Sequence, residues 1–302
     1  MKQLIDLLYV IKHRFITWII VLFYDIPQKR FIIKQDLPIN NNGFETTSSK
    51  ELFNCSISEI AKNSGLSDLK YDKNGLYFTS KLPEKLLEVI LTSKKLENLI
   101  FSYLGKDARL DDIYIKCQAP NSKSISEGWH TDNVGYRLKM FIAFDAKADS
   151  PKTILIPKSH LKVYSFPFLE ILKRFFLKNN SSFFKKMISN NFTHFENEVK
   201  LAYADDVIHI FDTNALHRGD YAKYLNSRNC IVVEFINRDK GNKLFKYAPC
   251  GPGQQDQGML FFSPGISNYL INSKLIDKNI LKVEKNPAGF VQHYCYSINN
   301  LN

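Results

Sequence analysis

The chain has 302 residues, with 41 Lys+Arg against 30 Asp+Glu and a formal net charge of +11. Hydrophobic content of 44% and charged content of 24% are ordinary globular values and exclude wholesale disorder. The five cysteines are odd in number and form no C-x-x-C pair, which excludes a zinc ribbon and argues against a disulfide framework. A reducing, cytoplasmic setting is expected. The basic excess is mostly Lys scattered along the chain, with no recognition-helix or RNA-binding motif, so no nucleic acid is expected as a partner. An anionic substrate or surface stays compatible with the charge.

Residues 1–34 read as an apolar N-terminal helical segment. Lys12, His13 and Arg14 interrupt it, leaving residues 15–24 largely unbroken. That is about half of the roughly 20 residues a membrane span requires. A packed helix is expected, with contact at a membrane surface as the second option. Residues 35–50, with Asn40, Asn41, Asn42 and Gly43, read as a loop. One domain is then expected over 51–302.

Leu86, Val89, Ile90, Leu96, Ile100 and Tyr103 fall on one helical face, predicting a support helix over about 84–104 between Pro83 and Gly105. From residue 112 the texture becomes short strand-like runs at 113–119, 136–144, 153–157, 206–211 and 229–236. Their β-branched and aromatic residues, separated by polar turns, point to an antiparallel sandwich or barrel. An insertion at 161–191 interleaves Phe166, Phe175, Phe176 and Phe183 with Lys173, Arg174, Lys178 and Lys185. Amphipathic helices covering the outside of the sheet are the expected reading; the sharper one is a basic-aromatic surface for a lipid or acyl carrier. The C-terminal extension, about 238–302, holds Gly251-Pro252-Gly253 without the Gly-Lys-Ser/Thr of a phosphate loop, so a plain connection is expected.

Among the seven histidines, His209 alternates with Ile208 and Ile210, so it lies on the opposite face from them and is expected to point outward. His130 is different. It stands two residues before Asp132, and such a pair can present an imidazole and a carboxylate to one cation. Alone the pattern is weak. His217, just beyond the strand ending at Phe211, is the candidate third ligand of a 2-His-1-carboxylate triad. Arg228, opening the next strand, offers a planar fork for a carboxylate.

Gly128-Trp129-His130-Thr131-Asp132, Ile156-Pro157-Lys158-Ser159-His160, Ala204-Asp205-Asp206-Val207, Leu216-His217-Arg218-Gly219 and Arg228 follow one another in an order that resembles the phytanoyl-CoA dioxygenase family. These are Fe(II)- and 2-oxoglutarate-dependent oxygenases, and the resemblance covers roughly residues 86–236. It implies a mainly β fold with flanking helices around a double-stranded β-helix, or jelly-roll, core. It also implies Fe(II), 2-oxoglutarate as co-substrate and O2. His130, Asp132 and His217 would be the iron ligands, and Arg228 would bind the distal carboxylate of 2-oxoglutarate with Gln118 nearby. Trp129 would shape the pocket wall. The implied reaction is hydroxylation of an unactivated C–H bond in a small-molecule, lipid-like or carrier-bound substrate. Lys158 stands where the family often has Gly, and Asp205-Asp206 replaces a frequent Gly-Asp turn; His160 reads as structural or substrate-facing. The alternative is a jelly-roll module that binds metal without turnover.

Overall fold

In a computed structural model, residues 37–66, 70–79, 81–122, 129, 137–161, 197–220, 224–237, 273–275, 283–285 and 294–296 are described. The N-terminal segment, the insertion beyond residue 161 and the 241–265 loop lie outside them. No helix among the described residues is long and apolar enough to cross a membrane.

Four long strands carry the fold: β3 (Ala108–Gln118), β4 (Arg137–Phe144), β7 (Val207–Asp212) and β9 (Arg228–Asn237). With β1 (Phe44–Ser48) and β2 (Leu76–Thr79) they form a six-stranded sheet in the order β1-β7-β4-β9-β3-β2. Every pairing in it is antiparallel. A second sheet has the order β6-β5-β8, from β6 (Val199–Leu201), β5 (Thr153–Leu155) and β8 (His217–Gly219). The chain passes from β4 to β5 and β6, back to β7, across to β8 and back to β9. That alternation between two antiparallel sheets is the jelly-roll. A separate hairpin pairs β10 (Val283–Lys285) with β11 (Tyr294–Tyr296).

The large sheet is buried on both faces, which is why its strands read as nearly continuous apolar runs. One face holds Ile113, Ile115, Leu138, Met140, Ile142, Ile208, Ile210, Ile231, Val233 and Phe235 and packs on helices. The other holds Tyr114, Phe141, Phe211, Cys230 and Val232, facing Leu155, Tyr203 and Ala215 across the inter-sheet space. The period-2 alternation of each strand divides its residues between these two cores.

The support helix is two helices, α4 (Glu84–Thr92) and α5 (Lys94–Leu104). Ser93 breaks them: its backbone is extended, its hydroxyl caps α5 by accepting from Leu96 N at 3.2 Å, and it donates to Leu52 O at 2.7 Å. The apolar face continues across the break, so the periodicity alone spans both helices. The expected loop at 35–50 is also corrected. It contains α1 (Pro38–Asn42), β1 and the start of α2 (Ser49–Phe53). Gly43 ends α1 at φ 84, and a side chain there would meet the His160 ring at 2.5 Å. Ser48 and Glu51 form a capping box that opens α2. The helix α3 (Ile57–Asn63) follows.

Two turn residues of the motifs quoted above are left-handed: Lys158, which stands where the resembled family often has Gly, and Asp206, which follows the Asp205 that replaces Gly. Lys158 has φ 63 and Asp206 has φ 65, conformations that glycine adopts without strain. Asp206 offsets the cost with its carboxylate, which accepts from Ser56 Oγ at 2.6 Å and Ser58 N at 3.0 Å at the start of α3. Lys158 N donates to Asn42 O at 2.8 Å, and the His160 ring nitrogen Nε2 lies 3.1 Å from Asn40 O. His160 is therefore a structural residue, docking its short 3-10 turn (Ser159–Leu161) onto α1.

Candidate active site

The turn between β7 and β8 sets His217. Asp212 anchors that turn: its carboxylate accepts from Tyr103 Oη at 2.5 Å and from Asn214 N at 2.8 Å, while its carbonyl accepts from Ala215 N at 2.8 Å. Ser159 Oγ accepts from Leu216 N at 2.8 Å, fixing the entry to β8. His217 is buried, its ring 5.1 Å from that of Phe211 in an edge contact. Its Nδ1 lies 2.8 Å from Ala215 O. A carbonyl can only accept, so Nδ1 carries a proton, and in the neutral ring Nε2 is then the lone-pair nitrogen. That is the tautomer a ligating imidazole adopts when its other nitrogen is held by backbone.

Arg228 opens β9 directly opposite Gln118 of β3. It is 7% exposed, donates from Nη1 to Thr153 Oγ1 at 3.3 Å, and lies over the Tyr203 ring, 5.3 Å from its centroid. Tyr203 Oη and Thr153 Oγ1 are 3.0 Å apart. Burial pushes the Tyr203 phenol well above its ordinary value, against the pull of Arg228, so it stays a neutral donor. Gln118 is buried and donates from Nε2 to Ser122 O at 3.3 Å. The Cys230 thiol beside this group is pushed up to about 11, chiefly by burial, and stays protonated.

The small sheet relates the two halves. His217 pairs with Leu155 and Gly219 pairs with Thr153. Thr153 and Leu155 share one face of β5, so Arg228 is anchored about 7 Å along the strand from the residue opposite His217. On the other face, Arg218 lies over the Trp129 ring at 4.9 Å and meets Glu198 Oε2 at 3.4 Å. Trp129 immediately precedes His130 in sequence, and Arg218 immediately follows His217. His130 and Asp132 themselves lie outside the described residues. Among the described residues no group of three or more His, Cys, Asp and Glu could hold a metal.

His209 is corrected. It does oppose Ile208 and Ile210, but its face looks into the inter-sheet space, and the residue is 2% exposed. Its Nδ1 lies 3.0 Å from Thr46 Oγ1, its Nε2 2.9 Å from Ala202 O, and its ring meets Tyr203 edge-on. Burial lowers its pKa to about 4, so it is a neutral packing residue.

Thr153 and Tyr203 were not legible as site residues, nor was a buried ionic group on the same inner face. Glu234 Oε1 meets Lys139 Nζ at 3.1 Å and accepts from Tyr114 Oη at 3.4 Å, while Oε2 meets Arg137 Nη2 at 3.5 Å. The signal available was the charge itself, since Lys139 and Glu234 interrupt otherwise apolar strands.

No family model and no curated protein sequence matches the chain. Solved structures do. SnoN, the non-heme alpha ketoglutarate dependent epimerase from nogalamycin biosynthesis, is 12% identical over 71% of this chain and 84% of its own, with a TM-score of 0.46. HygX from Streptomyces hygroscopicus, solved with nickel, 2-oxoglutarate and hygromycin B, is 12% identical over 69% and 86%, with a TM-score of 0.46. EctD from S. alaskensis, solved with 2-oxoglutarate and 5-hydroxyectoine, is 13% identical over 75% and 81%, with a TM-score of 0.47. Likeness at this level assigns no activity to the chain.

Proposed function

We propose that the chain is an Fe(II)- and 2-oxoglutarate-dependent oxygenase in which His130, Asp132 and His217 hold the metal and Arg228 holds the far carboxylate of 2-oxoglutarate. The observation that carries this reading is the conjunction of His217 on the small sheet, with Nδ1 held by Ala215 O, and Arg228 of β9, whose guanidinium reaches Thr153 further along that small sheet. The donor set fits the group: a neutral imidazole nitrogen on one side and a buried guanidinium for a dicarboxylate on the other.

The Trp129–Arg218 stack supports the third element of the reading. Side chains of an extended segment alternate between faces. With Trp129 on the Arg218 side, a following His130 in extended backbone would share the side of His217. Iron, when bound, would supply O2 activation coupled to decarboxylation of 2-oxoglutarate. The protein's part is then to orient the co-substrate through Arg228, Thr153 and Tyr203, to hold the His217 ring by its Nδ1 against Ala215 O, and to exclude water with the Phe141, Phe211 and Tyr203 wall. The reaction outcome, hydroxylation of a C–H bond, belongs to this proposal.

The test is Fe(II)-dependent formation of succinate from 2-oxoglutarate in air. The wild type should form succinate, and His217→Ala should form none. Binding of both metal and 2-oxoglutarate without succinate, across a panel of candidate substrates, would instead return the non-catalytic module.

A further inference from the structure

His209 lies in the middle of β7, on the inner face of the large sheet, where its register partners are Thr46 of β1 and Phe141 of β4. Both of its ring nitrogens are engaged. Nε2 lies 2.9 Å from Ala202 O, and a carbonyl only accepts, so Nε2 carries the proton. In the neutral ring Nδ1 then accepts, from Thr46 Oγ1 at 3.0 Å. Turning the ring over would put carbon atoms against both partners, so a single orientation is fixed. The tautomer is the opposite of that in His217, whose Nδ1 carries the proton.

What the fixed ring holds is Tyr203. Its carbonyl acceptor belongs to Ala202, the residue immediately before Tyr203. The imidazole also meets the Tyr203 ring edge-on, with centroids 4.9 Å apart and planes at 88°. Tyr203 is in turn the support of Arg228. The guanidinium carbon lies 5.3 Å from the centre of the phenol ring, and the phenol oxygen lies 3.0 Å from the Thr153 Oγ1 that accepts from Arg228. His209 itself is remote from Arg228. Its register partner Phe141 pairs with Val232, and from Val232 to Arg228 is about 14 Å of extended chain. Tyr203 spans that interval.

Filling space does not call for a histidine here. The neighbouring inner-face residues Phe141, Phe211 and Val232 are apolar. A leucine at 209 would occupy the volume, but it would leave Ala202 O without this donor and the Tyr203 ring without an oriented neighbour. A functional constellation has to be held within about 0.5 Å and 10–20° of its working geometry by residues that are themselves locked. We propose that His209 is a positioning residue for the carboxylate seat at Arg228, fixing the Tyr203 ring and through it the guanidinium without touching the bound dicarboxylate. This rests on the reading of Arg228 as the 2-oxoglutarate anchor. A role confined to stability would lower the midpoint of unfolding and leave the selectivity of the seat alone.

The experiment uses the full chain with Fe(II) under argon and titrates two keto acids, 2-oxoglutarate and 2-oxobutyrate. Both offer a metal the same keto acid end, and only 2-oxoglutarate carries the distal carboxylate. The ratio of their dissociation constants therefore reads the Arg228 seat. His209→Leu should weaken 2-oxoglutarate by about tenfold and leave 2-oxobutyrate within about twofold of the wild type. His209→Gln, whose amide can still donate to Ala202 O, should retain 2-oxoglutarate within about threefold. If His209→Leu does not fold by circular dichroism, Thr46→Val carries the test, because it removes only the donor to Nδ1. It should cost about threefold for 2-oxoglutarate and nothing for 2-oxobutyrate. A folded His209→Leu, or Thr46→Val in its place, that keeps the wild-type ratio would overturn the proposal, whether both keto acids bind normally or both weaken together. A wild-type chain that binds the two keto acids equally would sink the assignment of Arg228, and the positioning role with it.

Discussion

Replacing Arg228 with Lys keeps the charge and removes the fork. In the structure the guanidinium is held from two sides, by Thr153 Oγ1 at 3.3 Å and by the Tyr203 face at 5.3 Å, with 7% of the residue exposed. A lysine would keep one point-charge contact to a carboxylate and lose the second parallel N–H bond. A charge-assisted hydrogen bond in such a setting is worth about 1.5–3 kcal/mol. The variant should therefore bind 2-oxoglutarate roughly ten- to a hundredfold more weakly, at 1.4 kcal/mol for each factor of ten. Folding should suffer much less, because the lost internal contact is a single bond of about 1 kcal/mol. The assay is an anaerobic titration of 2-oxoglutarate into the Fe(II)-loaded chain, paired with thermal unfolding. A dissociation constant within about twofold of the wild type, with the fold intact, would refute the assignment of Arg228.

The remaining predictions concern the frame of the site. His209 has its pKa lowered from 6.5 to about 4, so the unfolded chain takes up its proton first and acid destabilises the fold. Its contribution should be intact above pH 6.5 and fall progressively toward pH 4, by roughly 2 kcal/mol at pH 5, and His209→Gln should flatten that part of a urea-melt series. Lys158→Gly should raise Tm by about 1–4 °C, since relief of about 1–2 kcal/mol of left-handed strain outweighs the added chain entropy. Tyr103→Phe should cost about 1–3 kcal/mol in denaturant unfolding, because it strips a donor from the buried Asp212 carboxylate. Its effect on the turn before His217 should also weaken metal binding, read by titration.

The long strands were legible because β3, β4, β7 and β9 are rich in β-branched and aromatic residues, and their bounds shift only at the ends. β1 was not: Glu45, Thr46 and Thr47 give no apolar run, and the strand exists through its pairing with β7. β6 and β8, three residues each, are too short to leave a period. Alternation separated His209 from Ile208 and Ile210 but could not say which face was inside. A sheet covered on both sides has no outside, and only the second sheet's position decides that. The same gap hid Lys139 and Glu234, whose charges pair across neighbouring strands far apart in sequence. His217 and Arg228 stood out as candidates by residue type and spacing, whereas Thr153 and Tyr203 are common residues whose place beside Arg228 depends on the register of β5 and the path after β6.

The central claim is that three side chains from two distant stretches meet on one metal. Its most direct measurement is a Co(II) titration followed by visible absorption and calorimetry, on the wild type and on His130→Ala, Asp132→Ala and His217→Ala. One ion per wild-type chain, with each substitution sharply weakening binding and changing the spectrum, is the predicted result. Co(II) binding by folded His217→Ala that matches the wild type in affinity and spectrum would contradict it.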